Sequence, residues 1–152
     1  MQLQRMAATL LALCMMIIAF ASPVFAGAAA APDPEPFRPV QVFDVKAGKV
    51  IKSVPNDKDF QRFANDWISS VTGLAPQLTN DDSCSYVYRI PLEKPVTIKV
   101  NGINVAAEDV FLFNCDQKPP LLLVFDEQRR PYLLLFSADI KPFVQKVGIP
   151  AA

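Results

Sequence analysis

The chain has 152 residues, with 15 Lys or Arg balanced by 15 Asp or Glu, and it contains no histidine. Balanced charge without a basic patch argues against nucleic acid as a partner, and the missing imidazole removes Ser-His-Asp and Cys-His catalysis and histidine-ligated zinc. The glycines stand at starts, turns and caps rather than in a phosphate-cradling loop, so no cofactor is expected.

The chain opens "MQLQRMAATLLALCMMIIAFASPVFAGAAA". Arg5 supplies a positive start, residues 6–21 are almost wholly apolar, and Pro23 breaks the helix before Val24-Phe25-Ala26. This pattern reads as a secretory signal peptide over 1–26, cleaved after Ala26. A retained anchor is the alternative, but the apolar run is short of the ~20 residues a span needs. Leu13 before Cys14 speaks against a lipoprotein. The expected location is secreted or extracytoplasmic, with no stable membrane span once the signal is cut. Cleavage removes Arg5 and Cys14, leaving a slight negative charge and two cysteines, Cys84 and Cys115. An even pair in an oxidising compartment predicts a disulfide, contributing roughly 3–4 kcal/mol in the chain-entropy picture. Two free buried thiols are the alternative.

Residues 27–39 turn from alanine to closely spaced prolines and read as an extended tether. One domain is then expected over 40–150, large enough in apolar residues to fold unaided. "VQVFDV" and "KVIKSV" flank Ala47-Gly48 as a hairpin. In "NDKDFQRFANDWISSVTG", Asn56 or Asp57 can cap a helix. Phe60, Phe63, Ala64, Trp67, Ile68 and Val71 form its apolar stripe, and Gly73 stops it. "CSYVYRIPL" alternates as a strand, and Pro91 suggests a sheet edge at that end. Asn101-Gly102 predicts a tight hairpin between "VTIKV" and "INV". "DVFLFNC" is a further strand. For Cys115 to reach Cys84, a reversal is then expected at residues 106–109, because otherwise the sulfurs lie at opposite ends of the sheet. "PLLLVF" and "PYLLLF" read as strands buried on both faces, joined by "DEQRR". "ADIKPFVQKVG" closes the chain as a short helix started by Asp139 and Pro142 and stopped by Gly148 and Pro150. The fold class is therefore α+β: an antiparallel meander of about five to seven strands, one helix packed on it and a short C-terminal helix.

Chemistry has few places to sit. "TNDDSC" gathers Asn80, Asp81 and Asp82, oxygen ligands of the kind calcium uses, but without EF-hand spacing. The hairpin tip carries Asp126, Glu127, Arg129 and Arg130. A solvated tip lacks the cleft and fixed separation that paired carboxylates need for glycoside hydrolysis, so it reads as a wet turn. Its arginines can also grip an anionic partner such as a wall polymer. Tyr86, Tyr88 and Trp67 suit core as well as an aromatic binding surface, and core is the better reading. No catalytic or metal-ligating residue is assigned.

The signal, the Pro-rich tether, "YRIPL" and "LLLVFDEQRRPYLLLF" together resemble the small exported proteins of bacilli and related Gram-positive bacteria. The strand, helix and meander order is similar to cystatin-like folds, a likeness that implies inhibitors and binding modules at the level of fold only. The leading expectation is an exported, non-enzymatic domain that binds a protein or wall-polymer partner at the envelope or outside the cell. The alternatives are a carboxylate hydrolase or calcium-dependent binder using Asp81, Asp82, Glu108 or Asp109, and an inhibitor of an exported hydrolase. The oligomeric state is not fixed by the sequence.

Overall fold

The structure, a computed structural model, describes residues 37–76, 84–115 and 118–149. The signal sequence, most of the tether, the Asn80–Asp82 loop and Pro150 lie outside the described residues. β1 (Val40–Asp44) and β2 (Lys49–Val54) form the expected hairpin. Gly48 turns it at a φ of 64°, and Asp44 Oδ1 accepts the Ala47 N–H at 2.8 Å.

The first helix, α1, runs over Lys58–Ser69. Asp57 caps it, accepting from the N–H groups of Asp59 at 3.0 Å and Phe60 at 3.1 Å. Its inner face carries Phe60, Ala64 and Trp67, all buried. The helix stops earlier than its apolar stripe suggests. Ser70 is the C-cap, and Val71–Leu74 is a strand, β3, paired with the strand at Pro131–Phe136. Gly73 therefore sits inside a strand rather than ending a helix. β-branched Val71 and Thr72 favour extended backbone, and a free sheet edge supplies the ladder.

β4 (Cys84–Val100) and β5 (Ile103–Cys115) make one long hairpin. Asn101 at φ 48° and Gly102 at φ 78° form its turn, as the sequence predicts. The reversal expected at residues 106–109 does not occur. Both strands run through the region, with Pro91 opposite Asp109 and Val96 opposite Ala107. The extra residues around Glu93, Lys94 and Pro95 are absorbed as a bulge, which bends the hairpin rather than ending it. A continuous hairpin brings Cys84 opposite Cys115 with no further turn, and the two are disulfide-bonded. The crosslink and the reversal are thus independent. Pro91 falls where the sequence places a sheet edge: β4 lies between β1 and β5, but its pairing with β1 stops at Arg89, so at Pro91 the strand is unpaired on that side.

Two buried amides hold the bend. Asn56 Nδ2 donates to the carbonyls of Pro91 at 2.8 Å and Arg38 at 3.1 Å. Gln61 Nε2 donates to Pro91 O at 2.8 Å and Asn56 Oδ1 at 2.9 Å, while Gln61 Oε1 accepts the Glu93 N–H at 2.9 Å. These bonds satisfy backbone groups that the bulge removes from the ladder.

β6 (Leu121–Phe125), β7 (Pro131–Phe136) and the second helix, α2 (Lys141–Val147), complete the unit Pro36–Ala152. Asp139 Oδ1 accepts the Lys141 N–H at 3.0 Å, and Gly148 ends α2 at φ 68°. The seven strands form one antiparallel sheet in the order β2-β1-β4-β5-β6-β7-β3, so the α+β class read from the sequence holds. α1 carries the chain from one sheet edge to the other. Val42, Tyr88, Leu112, Leu122 and Leu134 form a continuous cross-strand row under the helices, each fully buried. Phe143 of α2 enters this layer, its ring 4.9 Å from Trp67, 5.2 Å from Tyr88 and 5.7 Å from Phe60, all edge-on. Trp67 and Tyr88 are therefore core. No helix among the described residues is long and apolar enough to cross a membrane.

β6 and β7 are not buried on both faces. Leu122, Val124 and Leu134 are, but their neighbours Leu121, Leu123 and Leu133 are only half-buried, and Phe125 and Leu135 are exposed. The continuous apolar runs reflect two apolar faces, of which the helices cover one.

Candidate functional site

The uncovered face is the chemically distinctive part of the molecule. Register places Gln41, Arg89, Phe111, Leu123 and Leu133 in one row across β1, β4, β5, β6 and β7. Phe43, Val87, Phe113 and Leu121 form the next row. A shallow depression of about 350 Å3 crosses this face between Phe113, Leu123 and Leu133.

Where the β4–β5 hairpin bends, the face runs into a cleft of about 570 Å3. Pro95 of the bulge, Ala106 and Glu108 of β5, and the β6–β7 loop form its walls. Phe111 and Phe125 form an aromatic floor, their centroids 5.7 Å apart and their planes nearly perpendicular. Arg89 lies with its guanidinium carbon 6.0 Å from the Phe111 centroid. The same guanidinium grips Asp109 as a fork, Nε to Oδ1 at 3.1 Å and Nη2 to Oδ2 at 3.2 Å, and donates to Gln41 Oε1 at 3.3 Å. Arg38 adds a second cation 3.4 Å from Asp109 Oδ1. Asp109 is thus held between two guanidinium groups.

Of the residues singled out at the hairpin tip, Asp126 is the organiser of the loop rather than a solvated charge. Its side chain is only 8% exposed. Oδ1 accepts the N–H groups of Gln128 at 2.9 Å and Arg130 at 2.8 Å, and Oδ2 accepts from Arg130 Nε at 2.6 Å. Burial pushes this carboxyl up, but the hydrogen bonds and the charge of Arg130 outweigh it and hold Asp126 below its usual range. A general acid needs the opposite shift. Arg130 is pushed up by the hydrogen bond and charge of Asp126, and it points away into solvent at 66% exposure.

Glu127 and Arg129 behave differently. Arg129 adopts a left-handed φ of 60°, and both residues line the cleft. Among the described residues, the side chains of Glu127, Arg129 and Glu108 make no hydrogen bond or ion pair, while the Arg129 N–H donates to the Asp126 carbonyl at 2.8 Å. The site therefore presents one unmatched cation and two unmatched anions around an aromatic floor, at the end of an apolar sheet face. Such a surface can hold a partner by shape, aromatic contact and charge.

The structure brings Asp126, Glu127 and Arg129 to this cleft with Glu108 and Asp109, and places Arg130 outside its lining. Asp81 and Asp82 lie outside the described residues. Arg38, Arg89, Phe111 and Phe125 were missed as site residues, because only strand register brings them together. Among the described residues, no group of three or more Cys, Asp or Glu is arranged to hold a metal ion. Comparison of the chain with protein-family models, with curated proteins and with solved structures finds no match.

Proposed function

We propose that the protein is an exported, non-enzymatic interaction domain of the cell envelope or extracellular space, and that its contact surface is the open sheet face together with the charged cleft. The observation that carries this reading is the unmatched trio Glu108, Glu127 and Arg129 beside Phe111 and Phe125. Charges held without partners at the margin of exposed apolar surface are a feature of contact surfaces. Export is supported by the N-terminal signal pattern and by the disulfide, since such bonds persist where the compartment is oxidising.

Carboxylate labelling tests the surface. The purified protein is treated with carbodiimide and amine in dilute solution, then again with isolated cell-wall sacculi and with concentrated protein. Glu108 and Glu127 should lose labelling in at least one crowded condition, while Asp66 on the exposed side of α1 labels equally throughout. Equal labelling of all three carboxylates in every condition overturns the reading. Turnover of a glycan panel would replace it with a hydrolase.

A further inference from the structure

The open face has the composition of one half of a β-sandwich. In such sandwiches two sheets stack about 10 Å apart with their strands roughly aligned, and apolar side chains from both inner faces interdigitate. Here Phe111, Phe113, Leu121 and Leu123 form the centre, on the adjacent strands β5 and β6. What covers them must be apolar in the middle and must answer Glu108 and Arg129 at one end.

Resting on the reading of this face as the contact surface, we infer that its partner is a second copy of the same chain, packed face to face about a two-fold axis that runs parallel to the strands between β5 and β6. Such an axis keeps the charged ends of the two copies together and exchanges left for right. Glu108 lies on β5, on one side of the axis. Arg129 lies in the β6–β7 loop, on the other. The rotation therefore sets Arg129 of each copy toward Glu108 of the other, forming two equivalent contacts. The apolar centres meet at the same time. The match between an unanswered cation and an unanswered anion on opposite sides of one axis is what favours a second copy over an unrelated partner. An isologous interface requires this self-complementarity.

Sedimentation velocity of the purified protein over a range of concentrations tests the proposal. The wild type should dimerise reversibly, and Leu123→Glu should abolish the dimer while circular dichroism stays native. Arg129→Glu and Glu108→Arg, each alone, should weaken dimerisation by roughly ten- to a hundredfold through like-charge contacts. An equimolar mixture of these two variants should restore it, because each mixed dimer regains both opposite-charge contacts. The variant carrying both changes should dimerise with itself. A wild type that stays monomeric, a dimer indifferent to Leu123→Glu, or charge variants that fail to rescue one another would each overturn the inference. Should Leu123→Glu fail to fold, the mixing experiment still decides, since both charge changes lie on exposed side chains. A monomer whose Glu108 and Glu127 are nonetheless protected by sacculi removes the second copy and leaves the binding reading intact. Loss of that protection in every condition, concentrated protein included, removes the binding reading itself.

Discussion

The two faces of the sheet are built from nearly the same side chains and do different things. Under the helices, Leu112, Leu122 and Leu134 are fully buried. One residue along each strand, Phe113, Leu123 and Leu135 turn to the other side and remain half-buried or exposed. Apolar composition thus does not report coverage. One face is sealed by Trp67 and Phe143 and carries the stability, while the other keeps its apolar surface available for contact.

Adjacent leucines give the hardest test of that contrast. Leu134→Ala should destabilise the domain by about 2–5 kcal/mol, as for other fully buried leucines. Leu135→Ala, at a position 37% exposed, should cost about 0.5 kcal/mol or less in dilute solution. Urea unfolding of the two variants reads the difference, and equal losses would mean that both faces are covered.

The crosslink belongs to neither face but closes the end of the hairpin that carries both. Cys84→Ala and Cys115→Ala should each cost about 2–5 kcal/mol, and the double variant little more than either. Thermal unfolding checks the energies, and the native protein should show no free thiol at these positions on labelling. The buried amides sharpen the comparison on the covered side. Gln61→Ala strands the Glu93 N–H and weakens the hold on Pro91 O, and it should cost about 1–3 kcal/mol. Hydrogen exchange at Glu93 should accelerate with it.

The smallest expected effect concerns the helices that do the covering. Lys146 of α2 lies 2.8 Å from both Asp57 and Asp59 at the start of α1. Hydrogen bonds from Lys146 hold both carboxyls below their ordinary 3.8, and the Asp57 and Asp59 contacts raise Lys146 above its ordinary 10.5. A lowered carboxyl contributes stability that is complete above 3.8 and lost as pH falls through its folded value. A raised amine contributes stability that is complete below 10.5 and lost as pH rises through its folded value. The melting temperature of Lys146→Met should therefore lie slightly below wild type between these limits, and the gap should close on either side. A gap that persists in acid would mean that the ammonium acts through the face of Phe60, 5.0 Å from Nζ, rather than through the two carboxylates.

Much of the fold was legible because local chemistry and final structure agree. Asn101-Gly102 makes the turn it predicts, Asp57 caps the helix, and the cysteines pair. The failures share a cause. Glu93-Lys94-Pro95 and Glu108-Asp109 look like turns because they are polar and interrupt apolar alternation. In the sheet they form the bulge and the stretch of β5 opposite it, and the amides that stabilise it come from Asn56 and Gln61, far away in sequence. Gly73 looks like a helix stop until β7 offers Val71–Leu74 a ladder. At the candidate site, the tip residues were visible as a charge cluster. Asp126 could not be told from Glu127, because the difference lies in hydrogen bonds to the loop backbone. Arg38, Arg89 and Phe111 carry no local signal, since only register gathers them.

The position of the disulfide bears on how the hairpin finds its alignment. A slip of one residue between β4 and β5 exchanges the side chains facing the helices for those facing outward, and in most sheets hydrophobicity forbids it. Here it does so weakly, because Val110 and Leu112 would only trade places with Phe111 and Phe113. Cys84 and Cys115 are directly opposed in the native ladder; after such a slip Cys84 would face Asn114 or a residue beyond the strand. Oxidation can then seal the native pairing and no neighbouring one. The sulfur bridge acts as a proofreader of alignment, supplying the fidelity that two similarly oily faces cannot.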